Sequence, residues 1–371
     1  MAETIPSSPT SARLVSLDVL RGFDMFWILG MEAVGAALAK ASKSPWAQFI
    51  ADQLDHASWA GFRFLDLIFP LFVFISGVSL VYSTDKNVST TGRRGAVIRL
   101  LKRAVLLYVL GLLCYGGLSK GIDMVRWLGV LQRLAICGLC AGLAYLFLKE
   151  RGRLLLTIAL LVGYWALLSF VPVPGIGAGN YAEGQNLTNW FDAQYLPGFK
   201  WDVTHDPEGI LSTLPAIATC LLGVLTGGWL KHHPGSVLRK AAQLGAAGLL
   251  LTALGWAWHP YFPVIKKIWT SSYVLVASGY SLLLLAFFLV LIDGWKLRRG
   301  LAPLLWIGMN PITLFLSHHF INYSKVSKTL FGGPVADAFG PWSGVLLASG
   351  QVLLGIWLAW FLYSRKIFLR V

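Results

Sequence analysis

The chain has 371 residues, 56% of them hydrophobic and 13% charged, with a mean hydropathy of +0.65. Soluble domains carry about a quarter charged residues, so lipid must be the solvent for most of this surface, and a soluble globular enzyme is excluded. The formal net charge is +14, but Lys and Arg lie in short runs between apolar segments rather than with aromatics on one polar face, which points to membrane orientation and away from nucleic acid.

Apolar stretches of about 20 residues, the length that crosses a bilayer, recur at 17–38, 62–82, 99–118, 127–148, 154–171, 209–230, 237–258, 271–293, 301–322 and 342–364. They predict an all-α polytopic membrane protein, a bundle of about ten transmembrane helices, with residues 1–371 in a single membrane domain. Residues Met1 to Ser11 are polar and lack the basic, apolar and small-residue pattern of a cleaved signal peptide, so the first span is expected to be retained.

That first span holds Asp18, Arg21, Asp24 and Glu32. Read as one helix, it places all four within an arc of about 120°, a polar stripe about 21 Å long. Ionisable groups inside a bilayer are costly unless they face a partner or a cavity. Asp18 and Arg21 are spaced to pair at i and i+3, whereas Glu32, near the outer end, has no partner fixed by its own helix. The second span is entered through His56-Ala57-Ser58-Trp59-Ala60-Gly61-Phe62-Arg63-Phe64-Leu65-Asp66. His56 is expected just outside the membrane on the external side, and Arg63 and Asp66 are spaced to pair inside it. A histidine at a span's mouth is weak evidence alone. Beside an outer-end Glu32 it becomes half of an acid–base pair, because imidazole titrates nearest neutrality.

Cys137-x-x-Cys140 lies in an apolar span with no second pair, and is read as packing. Residues 172–208 form a long external loop carrying Tyr181, Trp190, Phe191, Tyr195 and Trp201. Loops of this length are functional or disordered. The aromatics argue for a folded cap, with sugar stacking and interfacial anchoring both open as uses for the rings. Further polar positions are Gln132 and Arg133 in the fourth span, Asp206 and Glu208 at the start of the sixth, and Asn310 and His318 on one face of the ninth. Together they are expected to line a cavity or path. No H-E-x-x-H or equivalent spacing occurs, and His232-His233 sits in a basic turn, so no metal is expected.

Lys and Arg concentrate on alternate linkers: around Arg13, from Lys86 to Arg103, Lys149 to Arg153, Lys231 to Lys240, Lys296 to Arg299, and at Arg365-Lys366. That side holds about twice the Lys and Arg of the other, which makes both termini cytoplasmic and the protein integral to an inner (plasma) membrane.

Ser16-Leu17-Asp18-Val19-Leu20-Arg21-Gly22-Phe23-Asp24-Met25 resembles the opening helix of the membrane acyltransferases related to lysosomal heparan-α-glucosaminide N-acetyltransferase and its NagX-like bacterial relatives. The stretches His56 to Gly61 and Asp66-Leu67-Ile68-Phe69-Pro70 resemble the family's second block. Gly129 to Leu134, Asp206-Pro207-Glu208-Gly209, Trp269 to Tyr273 and Gly308-Met309-Asn310 resemble later ones, in the family's order. The resemblance implies a single transmembrane acyltransferase domain, a catalytic histidine at His56, acetyl-CoA as donor entering from the cytosol, a small-molecule amino sugar as acceptor on the opposite side, and a homodimer. Against the lysosomal enzyme the chain is expected to lack the large luminal domain and first span, and it has Glu32 where the resemblance implies an asparagine in that enzyme's matching helix.

On this reading His56 deprotonates the sugar ammonium, Glu32 binds the amine, and Asn310 or His318 donates to the developing oxyanion. Asp18, Arg21, Asp24, Asp66, Arg133 and Asp206 are expected around the substrate. Arg99, Arg103 and Arg299 are expected to meet the CoA phosphates, with Arg93, Arg94, Lys102 and Arg298 also available. Direct transfer and transfer through an acetyl-His56 intermediate both fit. An N-acetylglucosamine transporter would also need many spans and a buried polar path, but the chain halves show no internal repeat. An O-acetyltransferase of an envelope polysaccharide would satisfy the same residues.

Overall fold

The computed structural model describes residues 14–119 and 121–369. The basic tail around Arg13 lies outside the described residues. In chain order the helices are α1 (Val15–Ile28), α2 (Met31–Ala41), α3 (Pro45–Gln53), α4 (Ile68–Cys114), α5 (Val130–Phe147), α6 (Glu150–Phe170), α7 (Leu187–Tyr195), α8 (Thr213–His232), α9 (Val237–Trp258), α10 (Ser271–Phe288), α11 (Ala302–Met309), α12 (Pro311–Phe320), α13 (Tyr323–Phe331), α14 (Pro334–Ala338) and α15 (Ser343–Ser364). Among the described residues no strand forms, only isolated β-bridges such as Ala60 with Ile265.

Among the described residues, seven helices are long and apolar enough to cross a membrane, eight if the bent pair α1–α2 is one span. A helix satisfies its own backbone polar groups, which is why an apolar chain of this composition crosses lipid in this form. The chain is therefore an all-α polytopic membrane protein. The expected count of ten is approximate, for two reasons. The expected second and third spans are the two parts of the continuous stretch Phe64–Cys114, interrupted at Gly92, whose φ of 68° only glycine adopts readily. The expected ninth span is broken at Asn310 into α11 and α12, each too short to cross alone.

The first span also departs from expectation. It is not one helix: Gly30, at φ 112°, ends the first helical segment, and α2 leaves it at a bend of 49°. The single polar stripe is therefore broken, and Glu32 stands exposed on α2 while Asp18 and Asp24 are buried on α1.

Small residues let the spans approach at backbone distance. A Cβ on Gly22 would sit 1.7 Å from the Leu304 carbonyl oxygen, and one on Gly308 would sit 1.8 Å from that of Asp18, so α1 and α11 cross with no room for a side chain. The α4–α8 crossing at Gly77 and Gly223 is built the same way. One end of this bundle carries residues 42–63, the 172–208 loop and the 259–270 loop; it is called the loop end here. The other, basic end carries Lys149 to Arg153, Lys231 to Lys240 and Lys296 to Arg299.

The long loop is folded. Asn186 caps α7 by accepting from Asn189 N, and Tyr181, Leu187 and Trp190 pack with Tyr164, Phe262 and Ile268. Tyr195 and Trp201 remain exposed, each 59% accessible, so burial explains only part of the loop's aromatic content.

Candidate active site

His56 lies at the loop end in the segment between α3 and the short 3-10 turn Phe64–Leu67 that opens α4. That segment is irregular, and a buried carboxylate organises it. Asp66, fully buried, accepts from Ala57 N (3.2 Å) and Arg63 N (3.0 Å) on Oδ2, and its Oδ1 lies 2.9 Å from His56 Nδ1. Tyr273 of α10 donates its hydroxyl to the Asp66 backbone carbonyl at 2.7 Å. Asp66 accepts only as a carboxylate, so it favours the tautomer of neutral His56 with the proton on Nδ1 and Nε2 as the acceptor. The imidazole is 46% exposed, open to a substrate while its anchor is dry.

Lys266 completes the group. Its Nζ lies 2.8 Å from His56 Nδ1, 3.1 Å from Nε2 and 3.5 Å from Asp66 Oδ1. Two backbone links bring the 259–270 loop there: Gly61 N donates to Val264 O at 2.9 Å, and Ala60 bridges Ile265. Burial lowers the Lys266 ammonium's affinity for its proton, against the opposing pull of Asp66, Glu208 and Glu32. Glu32 does not touch His56 in an ion pair; it acts at range on the lysine that does. The guanidinium of Arg63 does not pair with Asp66 as its spacing had suggested. It reaches Asp55 Oδ2 (3.5 Å) and the His56 carbonyl (3.1 Å) instead, because Asp66 is already filled from the backbone.

Beneath the long loop lies a second charged cluster. Arg126 binds Asp206 with two nitrogens, at 2.9 and 2.7 Å, and Glu208 at 2.7 Å, with its guanidinium over the rings of Tyr115 and Trp201. Asp206 and Glu208 precede α8 in a loop rather than opening the helix. Asp192 accepts from Ile210 N and Asp206 N, and burial pushes its carboxyl up to about 6. Arg133, buried on α5, donates to Ser212 Oγ at 2.5 Å and stacks 4.9 Å over Trp269. Its Nε and Nη1 have no hydrogen-bond partner among the described residues, so two donors are left for a ligand.

The remaining expected residues separate into interior and periphery. Asp18 pairs with Arg21 at 3.2 Å, and Arg21 also donates to Ser79 Oγ at 2.6 Å. Arg21 on α1 and Arg103 on α4 are half-buried, whereas Arg99 is exposed and bound to Asn87, and Arg299 is exposed. Both carboxylate oxygens of buried Asp24 lack a hydrogen-bond partner among the described residues. Asn310 and His318 have different surroundings. Asn310 Nδ2 donates to Ile367 O (3.0 Å) and its Oδ1 accepts from Leu369 N (3.2 Å), which pins the C-terminal stretch against the α11–α12 break. His318 lies against Tyr323, and its Nδ1 has no hydrogen-bond partner among the described residues.

Sequence reading missed Lys266, Arg126 and Asp192. The signal for Lys266 was a lysine pair, Lys266-Lys267, on the side expected to be poor in basic residues, directly before the Trp269 to Tyr273 block.

A buried carboxylate holding a half-exposed imidazole, with an adjoining lysine, at the loop end of a helical membrane bundle is an arrangement capable of acid–base chemistry. The family profile described as "Heparan-alpha-glucosaminide N-acetyltransferase, catalytic" matches residues 13–236, and the chain belongs to this family. It is 30% identical over 380 residues to human heparan-alpha-glucosaminide N-acetyltransferase, covering 85% of this chain and 55% of that one, and 28% identical over 376 residues to the mouse protein, covering 85% and 56%. The chain thus spans about half the length of these curated relatives.

Proposed function

We propose that this protein is a transmembrane acetyltransferase that moves acetyl from cytoplasmic acetyl-CoA to the amino group of glucosamine or a terminal glucosaminide on the periplasmic side. The observation that carries the reading is the Asp66–His56–Lys266 cluster at the loop end, in a chain of the N-acetyltransferase family. Asp66 holds the imidazole by Nδ1 and leaves Nε2, beside Lys266, as the base for the acceptor ammonium. The freed amine attacks the thioester carbonyl, the C–S bond breaks, and the thiolate leaves to be protonated. Lys266, 3.1 Å from Nε2, takes the oxyanion role expected of Asn310 or His318, since the Asn310 amide is occupied by the C-terminal stretch. Glu32, exposed at the same mouth, attracts the cationic acceptor. Arg21 and Arg103, half-buried guanidinium groups, are better placed for the donor's phosphates than Arg99 or Arg299.

Sealed vesicles of both orientations test the proposal. Inside-out vesicles given labelled acetyl-CoA outside and glucosamine inside should make labelled N-acetylglucosamine, and right-side-out vesicles with the donor outside should not. Transfer only in right-side-out vesicles overturns the sidedness. Label on N-acetylglucosamine as acceptor but not on glucosamine moves the chemistry to a hydroxyl.

A further inference from the structure

We propose that Glu183, Asp202 and His205 of the long loop form a divalent transition-metal site, of the kind that takes Zn2+, and that the Lys267 ammonium is the cation it exchanges for. Asp202 and His205 share one turn of the 172–208 segment, and Glu183, some twenty residues earlier, joins them only through the segment's fold. Their ligating atoms lie within 4.8 Å of one another. His205 Nε2 is 3.5 Å from Asp202 Oδ2 and 3.8 Å from Glu183 Oε1. A tetrahedral ion with bonds of ~2.0–2.1 Å holds its ligands about 3.3 Å apart. Closing the site on a metal moves each carboxylate a few tenths of an ångström nearer the histidine, and the two carboxylate oxygens, up to 4.8 Å apart, about 1.5 Å nearer each other.

Acidic clusters are common on surfaces, and the histidine sets this one apart. Its side chain is 3% exposed, yet Nε2 has no hydrogen-bond partner among the described residues and points at the two carboxylates. A buried nitrogen without a partner is costly. On its other side Nδ1 lies 3.2 Å from Thr204 Oγ1, which can accept the Nδ1 proton and leave the Nε2 lone pair for a ligand. Metal-bound imidazoles are held in this way. A nitrogen and two carboxylate oxygens suit Zn2+ and its first-row neighbours, with water completing the shell.

The site already attracts a cation. Lys267 Nζ lies 2.8 Å from Glu183 Oε1 and 3.2 Å from Asp202 Oδ2, with 30% of its side chain exposed. A flexible, partly exposed ammonium can swing to solvent when a divalent ion arrives. Because Lys267 adjoins Lys266, the exchange would be felt one residue from the His56 cluster. The proposal stands apart from the acetyl-transfer reading, since it concerns binding to the loop alone.

The experiment uses tag-free, chelator-treated full-length protein in detergent, with His232 and His233 changed to alanine to remove the exposed pair. Titration with Co2+, read by its ligand-field absorption, and with Zn2+, by calorimetry, should give one equivalent. His205→Gln, and separately Asp202→Asn, should weaken it by at least the ~10–100-fold that losing even a supporting contact costs. Lys267→Met should tighten it. Thermal unfolding without metal establishes that each variant is folded, and Asp202→Asn serves if His205→Gln is not. No saturable binding, or binding unchanged in a folded ligand variant, overturns the site. Unchanged affinity in Lys267→Met overturns the exchange.

Discussion

Asp66→Asn isolates what the buried carboxylate does for His56. The substitution keeps the shape, and the surrounding donors dictate its orientation. Two backbone N–H groups, Ala57 and Arg63, point at the Oδ2 position at 3.2 and 3.0 Å, so the asparagine oxygen must sit there. The amide NH2 then occupies the Oδ1 position, 2.9 Å from His56 Nδ1 and 3.5 Å from the Lys266 ammonium. A donor facing Nδ1 turns that nitrogen into an acceptor and sends the imidazole proton to Nε2, so the base lone pair no longer faces the substrate. Losing a positioned base costs ~10²–10⁴ in rate, about 2.7–5.4 kcal/mol of barrier. Single-turnover transfer of labelled acetyl to glucosamine measures this, with acetyl-CoA affinity and thermal unfolding taken separately. In the double variant with His56→Ala the second substitution should cost little more, as for residues that act as a unit. A folded Asp66→Asn protein turning over within about threefold of wild type would refute the reasoning.

Lys266→Met removes the cation beside Nε2 and should lower kcat ~10²–10³-fold, the cost of losing one oxyanion donor, with donor affinity retained; an effect confined to acceptor KM would instead make Lys266 a binding group. Asn310→Ala breaks the two bonds to the C-terminal stretch and should cost about 1–3 kcal/mol of stability, leaving turnover near normal; a large fall in kcat with unchanged unfolding would return Asn310 to the oxyanion. Asp192→Asn tests a buried charge. Burial raises its folded pKa from the ordinary 3.8 to about 6, so the folded protein holds the proton more tightly and the wild type loses stability as pH rises through that window. The gap corresponds to about 3 kcal/mol. The amide should raise the unfolding temperature at pH 7.5 by a margin that shrinks toward pH 4, and a margin independent of pH would contradict the assignment.

The helical membrane architecture was legible because lipid demands long apolar runs, and each such run is helical. His56 and Asp66 were legible because they lie ten residues apart in one quoted stretch. Lys266 was not, because it meets His56 across 210 residues through a two-link backbone contact that no spacing reveals. Gly30 was hidden for a different reason: glycine is common in membrane helices, so the left-handed bend that exposes Glu32 has no signature. The bonds from the Asn310 side chain to Ile367 O and Leu369 N were not legible either, because a polar residue in a span does not show which distant backbone it meets. The Glu183–Asp202–His205 group was invisible because its spacing matches no metal motif.

The central claim is that His56 supplies the base for acetyl transfer. Purified wild-type and His56→Ala proteins, matched for unfolding temperature and for acetyl-CoA affinity, should be compared for labelled acetyl on glucosamine across pH. The account predicts a ~10²–10⁴-fold fall in kcat with donor binding intact. Near-normal turnover by a folded His56→Ala protein would contradict it.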